Sequence, residues 1–495
     1  MKQQSIKKNF IMNTILIISG FIFPVISFPY IARTLGPEGT GPVKFATSVV
    51  AYFSMFAQLG IPTYGIRVCA KIRDDKEELS KTVHELLLIN LMMSVIVYVL
   101  FFICLLFVPR FQNDRLLMVI ISSTIFFNAI GMEYLYKALE QYTYITIRSL
   151  IFKFIAVLSM FLLIKGRDDY VIYGALTVFA GSASNILNFI HSRKYIEYKL
   201  YGDYNLKRHL KAVFVFFAMA CATTVYLNLD EVMIGFILSD KDVGYYDAAV
   251  KLKTILVGLV TSLGAVLLPR ASYYVEKGEM DEFKRITEKA LNFVFIIAVP
   301  MMIYFIIFAR EGVLFMSGEK FIPSITAMQF IMPTILFIGV TNIMGIQILV
   351  PLGKEKIVLY SEIAGAVVDL AINFALIPRM RSTGAAIGTL VAEAIVFVVQ
   401  YYYLRKYSDE VNINKALGCI SYWKIIVASS VSVLVSVWVK VIDIPWFMNK
   451  IMLHNFILLV ISSVCFFGGY LTVMLLLKDK LTKELVEDIL SKIKK

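Results

Sequence analysis

The stretch LGPEGTGPVKFA at residues 35–46 aligns without a gap on LSDKDVGYYDAA at residues 238–249. Each stretch follows an odd-numbered apolar segment and opens an even-numbered one. A chain built by internal duplication repeats such a junction at the same place in each half. The shared positions are a leucine, a polar turn, a glycine and a small residue, the last two being Gly41 with Gly244 and Ala46 with Ala249.

Two later pairs of segments keep a similar offset. YGALTVFAGS from Tyr173 resembles TGAAIGTLVAEA from Thr383, and ALEQYTYI from Ala138 resembles LGKEKIVL from Leu352. Their common order predicts two six-helix lobes in parallel orientation, and chance similarity between apolar helices is the alternative. The predicted organisation is an N-lobe at 1–190, a cytoplasmic linker at 191–211, a C-lobe at 212–404, a cytoplasmic loop with helices 13 and 14 at 405–477, and an amphipathic cytoplasmic tail at 478–495.

The composition places these helices in a bilayer. Of the 495 residues, 59% are hydrophobic and only 17% are charged, which is more apolar surface than one soluble core buries. A spanning helix needs roughly 20 mainly apolar residues, and that template fits about fourteen segments, beginning with 10–31 and 42–64. We therefore predict an all-α integral membrane protein, with two pseudo-symmetric six-helix lobes around a central cavity and two further C-terminal helices.

The basic residues set the orientation of the chain. The net charge of +13 lies mostly in short loops beside apolar segments, so it does not indicate a nucleic-acid surface. The predicted inner loops hold about three times as many Lys and Arg as the outer loops, which places both termini in the cytoplasm. We expect a multi-pass protein of the bacterial cytoplasmic (inner) membrane.

The tail LTKELVEDILSKIKK has apolar residues every four positions, opposite Lys and Glu. This spacing favours an amphipathic helix on the inner leaflet. A solvated charged tail is the alternative, since isolated helices of this length are marginal. The apolar positions are Leu481, Leu485, Ile489 and Ile493.

Several kinds of chemistry have no motif in this sequence. Gly353 and Lys354 lack the spacing and the hydroxyl of a phosphate-binding loop, so we expect no ATP hydrolysis. The four histidines show no HExxH spacing, and the five cysteines show no CxxC pair, so neither a metal site nor a disulfide is indicated. We expect a protein that is not an enzyme and needs no cofactor.

Four stretches together resemble the polysaccharide-export (Wzx-type) branch of the multidrug/oligosaccharidyl-lipid/polysaccharide exporter superfamily. They are FPYIARTLGPEGTG, MEYLYKALEQYTYIT, LSDKDVGYYDAAVKL and VPLGKEKIVLYSEIAGAVVDLAINFALIP, the last followed by TGAAIGTLVAE. The resemblance implies two bundles around a V-shaped cavity and transport of undecaprenyl-pyrophosphate-linked glycans from the cytoplasmic to the outer leaflet. Met132 and Tyr134 depart from the Pro and Trp expected there, and because they lie at a helix end the fold is little affected.

Two other classes of membrane protein are alternatives to a flippase. A cation-coupled multidrug antiporter of the same superfamily would favour twelve helices and an acidic or aromatic cavity. A membrane glycan ligase or polymerase would carry a large outer loop, and each predicted outer loop is short. The expected partners are a lipid-linked oligosaccharide, membrane lipids and other membrane proteins of polysaccharide assembly, with no nucleic acid.

Ionisable residues within spans are candidates for function because charge in hydrocarbon is costly. Arg33, Lys44, Lys251 and Lys253 are the candidate cations for a pyrophosphate head group, against the alternative that they cap helix ends and face outer head groups. The remaining intramembrane charges are Glu133, Lys153, Asp230 and Glu231. For Lys153 the preferred alternative is snorkelling to the interface, and for Glu133 a surface pair with Lys137.

Two further hypotheses concern pairs of residues. The duplication aligns Lys44 with Asp247, which predicts an outer gate between opposite charges, while pairing of Asp247 with Lys251 on its own helix is the alternative. Asp369 and Glu393 lie at mid-membrane depth in one lobe only, so they are the candidates for ion coupling. Interhelical hydrogen bonding within the lobe is the alternative for these two carboxylates. Asn185, Asn342 and Gln347 are candidate sugar contacts.

Overall fold

The computed structural model describes residues 6–406, 412–441 and 451–493. Within these ranges the chain is helical and no β-strand is found. Twelve helices of the described chain are long and apolar enough to cross a membrane. One of them, Ile11–Lys71, covers both predicted spans 10–31 and 42–64 except for residue 10, and Arg115–Gly131 is a further, shorter apolar helix. The prediction of an all-α membrane protein with about fourteen spans is confirmed.

The chain forms two compact units, Met1–Gly244 and Tyr245–Lys495. In the first unit, α1 packs against α3, α5, α7 and α10, so it is the central helix of that unit. The helices of the first unit are α1 (Ile6–Gln58), α2 (Ile61–Lys71), α3 (Lys76–Phe107), α4 (Pro109–Gln112), α5 (Arg115–Gly131), α6 (Glu133–Ala138), α7 (Tyr142–Leu163), α8 (Tyr170–Val178), α9 (Asn185–His191) and α10 (Lys207–Ile237).

Helix α1 holds two spans because it bends at one glycine. Gly36 has φ 71° and ψ 179°, a backbone conformation outside the helical region. Glycine adopts a positive φ at little cost, and Pro37 disfavours a helical conformation in the residue before it. The bend therefore divides one continuous run of residues into the two predicted membrane passes.

The second unit contains the remaining helices. The first five residues of helix α11 (Asp240–Lys277) belong to the first unit, and the helix continues into the second. The others are α12 (Met280–Ile307), α13 (Ala309–Met316), α14 (Ser324–Ile331), α15 (Thr334–Asn342), α16 (Glu355–Met380), α17 (Ser382–Lys406), α18 (Ile413–Gly418), α19 (Tyr422–Val437), α20 (Ile451–Leu476) and α21 (Lys480–Ile493).

Small residues bring α16 and α17 close together in the second unit. A side chain on Gly384 would meet the backbone of Leu376, and one on Gly365 would meet Val396. Close approach through small residues is typical of helix pairs in a bilayer, where no hydrophobic effect drives association. The α16–α17 pair is therefore a tightly packed support for the polar side chains that it carries.

The division by packing differs from the predicted division by duplication. Helix α10 begins within the predicted linker 191–211 and continues into the predicted C-lobe, whereas it packs within the first unit. A packing boundary and a repeat boundary are different properties of a chain, so the lobes 1–190 and 212–404 remain a prediction. Of the predicted loop and tail, residues 407–411, 442–450 and 494–495 lie outside the described residues.

The described part of the predicted tail is helical. Helix α21 covers Lys480–Ile493, and Lys289 of α12 pairs with Glu484 at 2.6 Å. Asp479 precedes the helix and its carboxylate accepts from the backbone N–H of Thr482, which is a typical N-terminal cap. The tail helix is thus capped at its start and contacts α12 through one exposed ion pair.

Candidate substrate site

A cavity of about 390 Å³ opens within the first unit, between α1, α2, α5 and α10. Every residue described around it is uncharged. Half of the lining is polar, and these polar residues are Thr47, Ser54, Gln58, Thr63, Thr124, Asn128, Thr224 and Asn228. A group of hydroxyls and amides in an otherwise apolar bundle is chemically suited to bind hydroxyl-rich ligands.

Hydrogen bonds within single helices orient several of these groups. Gln58 Nε2 donates to Ser54 Oγ at 3.0 Å, and Asn228 Nδ2 donates to the Thr224 carbonyl at 3.0 Å. The Thr47 hydroxyl donates to the Val43 carbonyl at 2.7 Å, so its lone pairs remain as acceptors. Each of these bonds joins residues four apart, one turn along the helix.

A second amide, that of Asn185, binds the cavity residue Asn128. Asn185 Nδ2 donates to Asn128 Oδ1 at 3.1 Å. Asn185 itself is buried against Gly131, where any added side chain would meet it at 2.6 Å. Asn185, predicted as a sugar contact, therefore positions a cavity residue. The other two predicted contacts, Asn342 and Gln347, belong to the second unit.

The predicted pyrophosphate cations of the first unit have protein partners. Lys44 lies 3.2 Å from the carboxylate of Glu231, whose side chain is only 3% exposed. Arg33 is half-buried and donates from Nη1 to the Pro29 carbonyl at 2.6 Å. Asp230 is also buried. A paired carboxylate lowers the cost of a lysine in a membrane helix, which explains how Lys44 is tolerated there.

The cations of the second unit lie on α11. Lys251 Nζ is 2.5 Å from Asp247 Oδ2, one helical turn away. Asp247 is buried, while Lys253 is half-buried. The i,i+4 pair is the alternative considered for Asp247 from sequence. Lys44 and Asp247 thus each have a partner within their own unit, and the gate between them remains a proposal.

Asp369 and Glu393 are buried in the second unit, on the adjacent helices α16 and α17. A side chain on Gly388 of α17 would lie 2.8 Å from Asp369 Oδ1 and 2.3 Å from Asn373 Oδ1. The hydroxyl of the neighbouring Thr389 bonds to Tyr246 at 2.8 Å. The glycine therefore makes the room in which the oxygen atoms of Asp369 and Asn373 approach α17.

The other intramembrane charges are explained by local contacts. Glu133 pairs with Lys137 at 2.8 Å in the i,i+4 arrangement. Lys153 Nζ donates to Ser19 Oγ at 2.9 Å. Helix α7 begins at Tyr142 and includes Arg148, which is buried and donates to the Ser184 carbonyl at 3.2 Å. Sequence reasoning did not single out Arg148.

The two aligned stretches of sequence contact each other. A side chain on Gly41 would lie 1.8 Å from the Asp240 carbonyl oxygen, and one on Gly244 would lie 2.5 Å from the Pro37 carbonyl oxygen. Residues 37 and 240 occupy equivalent positions in the alignment, as do residues 41 and 244. The contact is therefore reciprocal, as at an interface with two-fold symmetry. We call the contact between residues 35–41 and 238–244 the outer loop contact, from its predicted side.

A buried polar network lies at the opposite, predicted inner end of the first unit. Glu85 is 0% exposed, and its carboxylate binds the guanidinium of Arg208 and the imidazole Nε2 of His209, both at 2.7 Å. His209 Nδ1 in turn lies 2.8 Å from the hydroxyl of Tyr64. Thr63, the residue before Tyr64, lines the cavity. The network therefore joins the first turns of α3 to the start of α10, and Tyr64 connects it to a residue of the cavity lining.

The chain before α10 is fastened to α3 by further pairs. Lys76 pairs with Glu197 at 2.9 Å, and Lys81 pairs with Asp203 at 2.6 Å. Lys76 and Lys81 hold the pKa values of these two carboxyls below their usual range, because each donates a hydrogen bond to the charged form. Both carboxylates are therefore ionised at neutral pH.

The cavity residues were missed because they are neutral. Charge is the conspicuous signal within a span, whereas the signal for this cavity is a set of polar pairs spaced four apart: Ser54 with Gln58, Thr124 with Asn128, and Thr224 with Asn228. Residues four apart share one face of a helix. Three such faces within apolar spans indicate where three helices meet around polar space.

The sequence also matches known families. Residues 6–275 match the pattern of a family described as "Polysaccharide biosynthesis protein", which is more than half of the chain. The chain belongs to this polysaccharide biosynthesis family. A second pattern, MatE, matches residues 216–375. The resemblance to the polysaccharide-export branch of the superfamily, stated from sequence, is therefore confirmed.

Two curated relatives align over most of this chain. A protein assigned to O-antigen transport in Escherichia coli (strain K12) is 23% identical over 417 residues, which is 84% of this chain and 99% of the relative. A protein with the same assignment in Shigella dysenteriae is 25% identical over 410 residues, covering 79% of this chain and 98% of the relative.

Two solved structures share the fold of this polysaccharide biosynthesis protein. The lipid II flippase MurJ, in an inward closed conformation, has a TM-score of 0.71 at 15% identity and covers 92% of this chain and 99% of its own. An inward-facing multidrug resistance MATE family transporter has a TM-score of 0.62 at 13% identity, covering 81% and 99%. Both likenesses concern the fold.

Proposed function

We propose that this protein is a flippase that moves undecaprenyl-pyrophosphate-linked oligosaccharide units from the cytoplasmic to the outer leaflet, for cell-surface polysaccharide biosynthesis. The observation that carries the proposal is the cavity of hydroxyl and amide side chains inside a multi-pass membrane chain. Membership of a polysaccharide biosynthesis family and relatives assigned to O-antigen transport support the same substrate class.

The proposed mechanism is alternating access, with both termini in the cytoplasm. The glycan head group occupies polar space inside the protein, while the polyprenyl tail stays in lipid. A head group cannot cross hydrocarbon unaided because each unsatisfied polar group costs several kcal/mol there. Replacing those lost water contacts with protein hydroxyls and amides lowers the barrier.

Arg33, Lys44, Lys251 and Lys253 are the proposed ligands of the pyrophosphate. Lys44 and Lys251 are held by Glu231 and Asp247 respectively, so their charges are balanced when no substrate is present. A diphosphate carries more charge than one carboxylate and attracts a lysine more strongly at the same distance. The lysines would exchange a carboxylate for substrate oxygens on binding.

Asp369 and Glu393 are the proposed sites of ion coupling. Both carboxylates are buried on adjacent helices of one unit, and Asp369 lies beside the amide of Asn373. A carboxylate at this depth is costly unless it binds a proton or a cation. Binding of either ion would change the charge of the second unit and so bias the equilibrium between its conformations.

Transport by the purified full chain in proteoliposomes tests the proposed function. Undecaprenyl-diphosphate-linked N-acetylglucosamine is placed in both leaflets, and an impermeant pyrophosphatase is added outside. We expect the inner-leaflet pool to stay intact in protein-free vesicles and to be cleaved when the protein is present. Protection that is equal in both preparations would show that the chain is not a flippase for this class of lipid.

A matched pair of variants connects the transport to the cavity. Asn128→Leu removes a cavity amide, whereas Asn113→Leu makes the same change at an exposed position between α4 and α5. We expect a loss of at least about tenfold for the first variant, which corresponds to about 1.4 kcal/mol, and none for the second. Efflux of a cationic dye in place of the lipid would instead favour the multidrug antiporter.

A further inference from the structure

We infer that the cavity of the first unit selects an uncharged segment of the glycan, such as a neutral hexose or an N-acetylhexosamine, and discriminates against uronic and other acidic sugars. This inference rests on the proposed function and concerns the substrate class of the same site.

The lining of the cavity is uncharged. None of the residues described around the cavity is ionisable at neutral pH, so it offers a carboxylate no counter-charge. An isolated carboxylate taken from water into such a space loses solvation that neutral hydrogen bonds replace only in part. A neutral sugar loses only hydroxyl contacts, and hydroxyls and amides replace those directly.

The lining of the cavity offers both hydrogen-bond donors and acceptors. Asn128 has its oxygen engaged by Asn185, so it presents amide N–H donors to the cavity. Gln58 has its nitrogen engaged by Ser54, so it presents its carbonyl oxygen, and Thr47 likewise presents lone pairs. Donors and acceptors therefore both line the cavity. Sugar hydroxyls and acetamido groups need both kinds of partner, whereas a carboxylate accepts only.

The apolar lining and the size agree with this chemistry. Val50, Met55 and Leu227 lie between the polar positions and provide surface for the C–H groups of a sugar ring. The volume of about 390 Å³ is near the lower end of ligand pockets, which hold roughly 300 to 1,000 Å³. A cavity of this size holds part of an oligosaccharide, so it binds one segment of the glycan.

The test compares two probes in the same proteoliposomes. One is undecaprenyl-diphosphate-linked N-acetylglucosamine and the other is undecaprenyl-diphosphate-linked glucuronic acid. The impermeant pyrophosphatase cleaves the diphosphate that both probes share, so the same assay measures the transport of each. We expect the acidic probe to be transported at least about tenfold more slowly. Equal rates would overturn the selectivity and leave the proposed function standing. Transport of neither probe would overturn the proposed function and this inference with it.

A charge added to the cavity gives the complementary test. Gln58→Arg replaces a neutral amide with a longer side chain that ends in a cation, so it should raise the rate of the acidic probe relative to the neutral one. Gln112→Arg makes the same change outside the cavity and should leave that ratio unchanged. An unchanged ratio in a folded Gln58→Arg protein would contradict the inference. If thermal unfolding shows that this variant is misfolded, Asn228→Lys adds the charge from α10.

Discussion

Glu38 and Lys241 form an ion pair of 2.9 Å, and they occupy equivalent positions in the two aligned stretches of sequence. The pair lies in the outer loop contact, beside the reciprocal approach of Gly41 to Asp240 and of Gly244 to Pro37. Arg110 adds a second ion pair to Asp240 and also lies over the ring of Phe45 at 4.4 Å. Both repeats therefore contribute backbone and charge to one contact.

The glycine in this contact gives the first prediction. Gly41→Ala places a Cβ close to the Asp240 carbonyl oxygen, so the two segments must separate. We expect transport to fall at least about tenfold, because the closed contact can no longer form. Gly20→Ala on the same helix is the control, since nothing lies within 4 Å of its added Cβ. Equal rates for the two variants would show that the contact has no role in transport.

The Glu38–Lys241 pair itself should matter less. Its side chains are 43% and 48% exposed, and an exposed pair is worth about 0 to 1 kcal/mol. Glu38→Gln should therefore change the transport rate by about fivefold at most, and less at high salt. Rates measured in low and high salt check this expectation. A larger effect that salt does not reduce would mean that Glu38 binds substrate.

The pairs at Lys44 and Asp247 lead to a prediction about the proposed outer gate. Each residue has a partner in its own unit, so a gate requires that both exchange partners during the transport cycle. If they do, Lys44→Asp combined with Asp247→Lys should restore transport that is lost in either single variant. If Lys44 serves the pyrophosphate instead, the double variant should be as inactive as Lys44→Asp. Initial rates in proteoliposomes distinguish the two outcomes.

Ion coupling at α16 and α17 is tested with neutral isosteres. Asp369→Asn and Glu393→Gln remove charge with little change in shape, so we expect the response of transport to a pH or sodium gradient to be lost while the fold is kept. Glu355→Gln, at the exposed start of α16, is the matched control. A gradient response that survives in both test variants would exclude these carboxylates as the coupling site.

The buried network at Glu85 gives a prediction about stability. Glu85→Gln removes the carboxylate that Arg208 and His209 share, while Arg208 keeps its pair with Glu78. We therefore expect a cost of about 1 to 3 kcal/mol, the range for a buried group that loses its hydrogen-bond partner. We expect a clear fall in the thermal unfolding midpoint in detergent. Glu77→Gln changes an exposed residue in the first turn of the same helix and should have little effect. Similar midpoints would mean that the network contributes little to the fold.

The orientation of the chain can be tested at two exposed loops. Single cysteines at Asn113 and Asp74, in a chain without its own cysteines, lie on opposite predicted sides. An impermeant thiol reagent applied to intact cells should label position 113 and not position 74. The reverse pattern would place the termini outside.

The sequence alone determined the number of spans, their helical form and the equivalence of residues 35–46 and 238–249. These follow from the chain itself, because bilayer thickness sets the length of an apolar segment and a repeat is visible as similarity. The partner of each charge was only partly predictable. Pairs one turn apart, such as Glu133 with Lys137, follow from helical spacing, whereas Lys44 with Glu231 joins distant parts of the chain.

Only the tertiary structure decided which helix faces enclose polar space. Thr47, Thr124 and Thr224 lie on three different helices and line one cavity. In a soluble protein, the apolar face of a helix marks its buried side. In a bilayer, lipid and neighbouring helices are both apolar, so the hydrophobic pattern does not tell the face that contacts lipid from the face that contacts protein. The cavity was therefore fixed by helix packing, which hydrophobicity along a single sequence does not record.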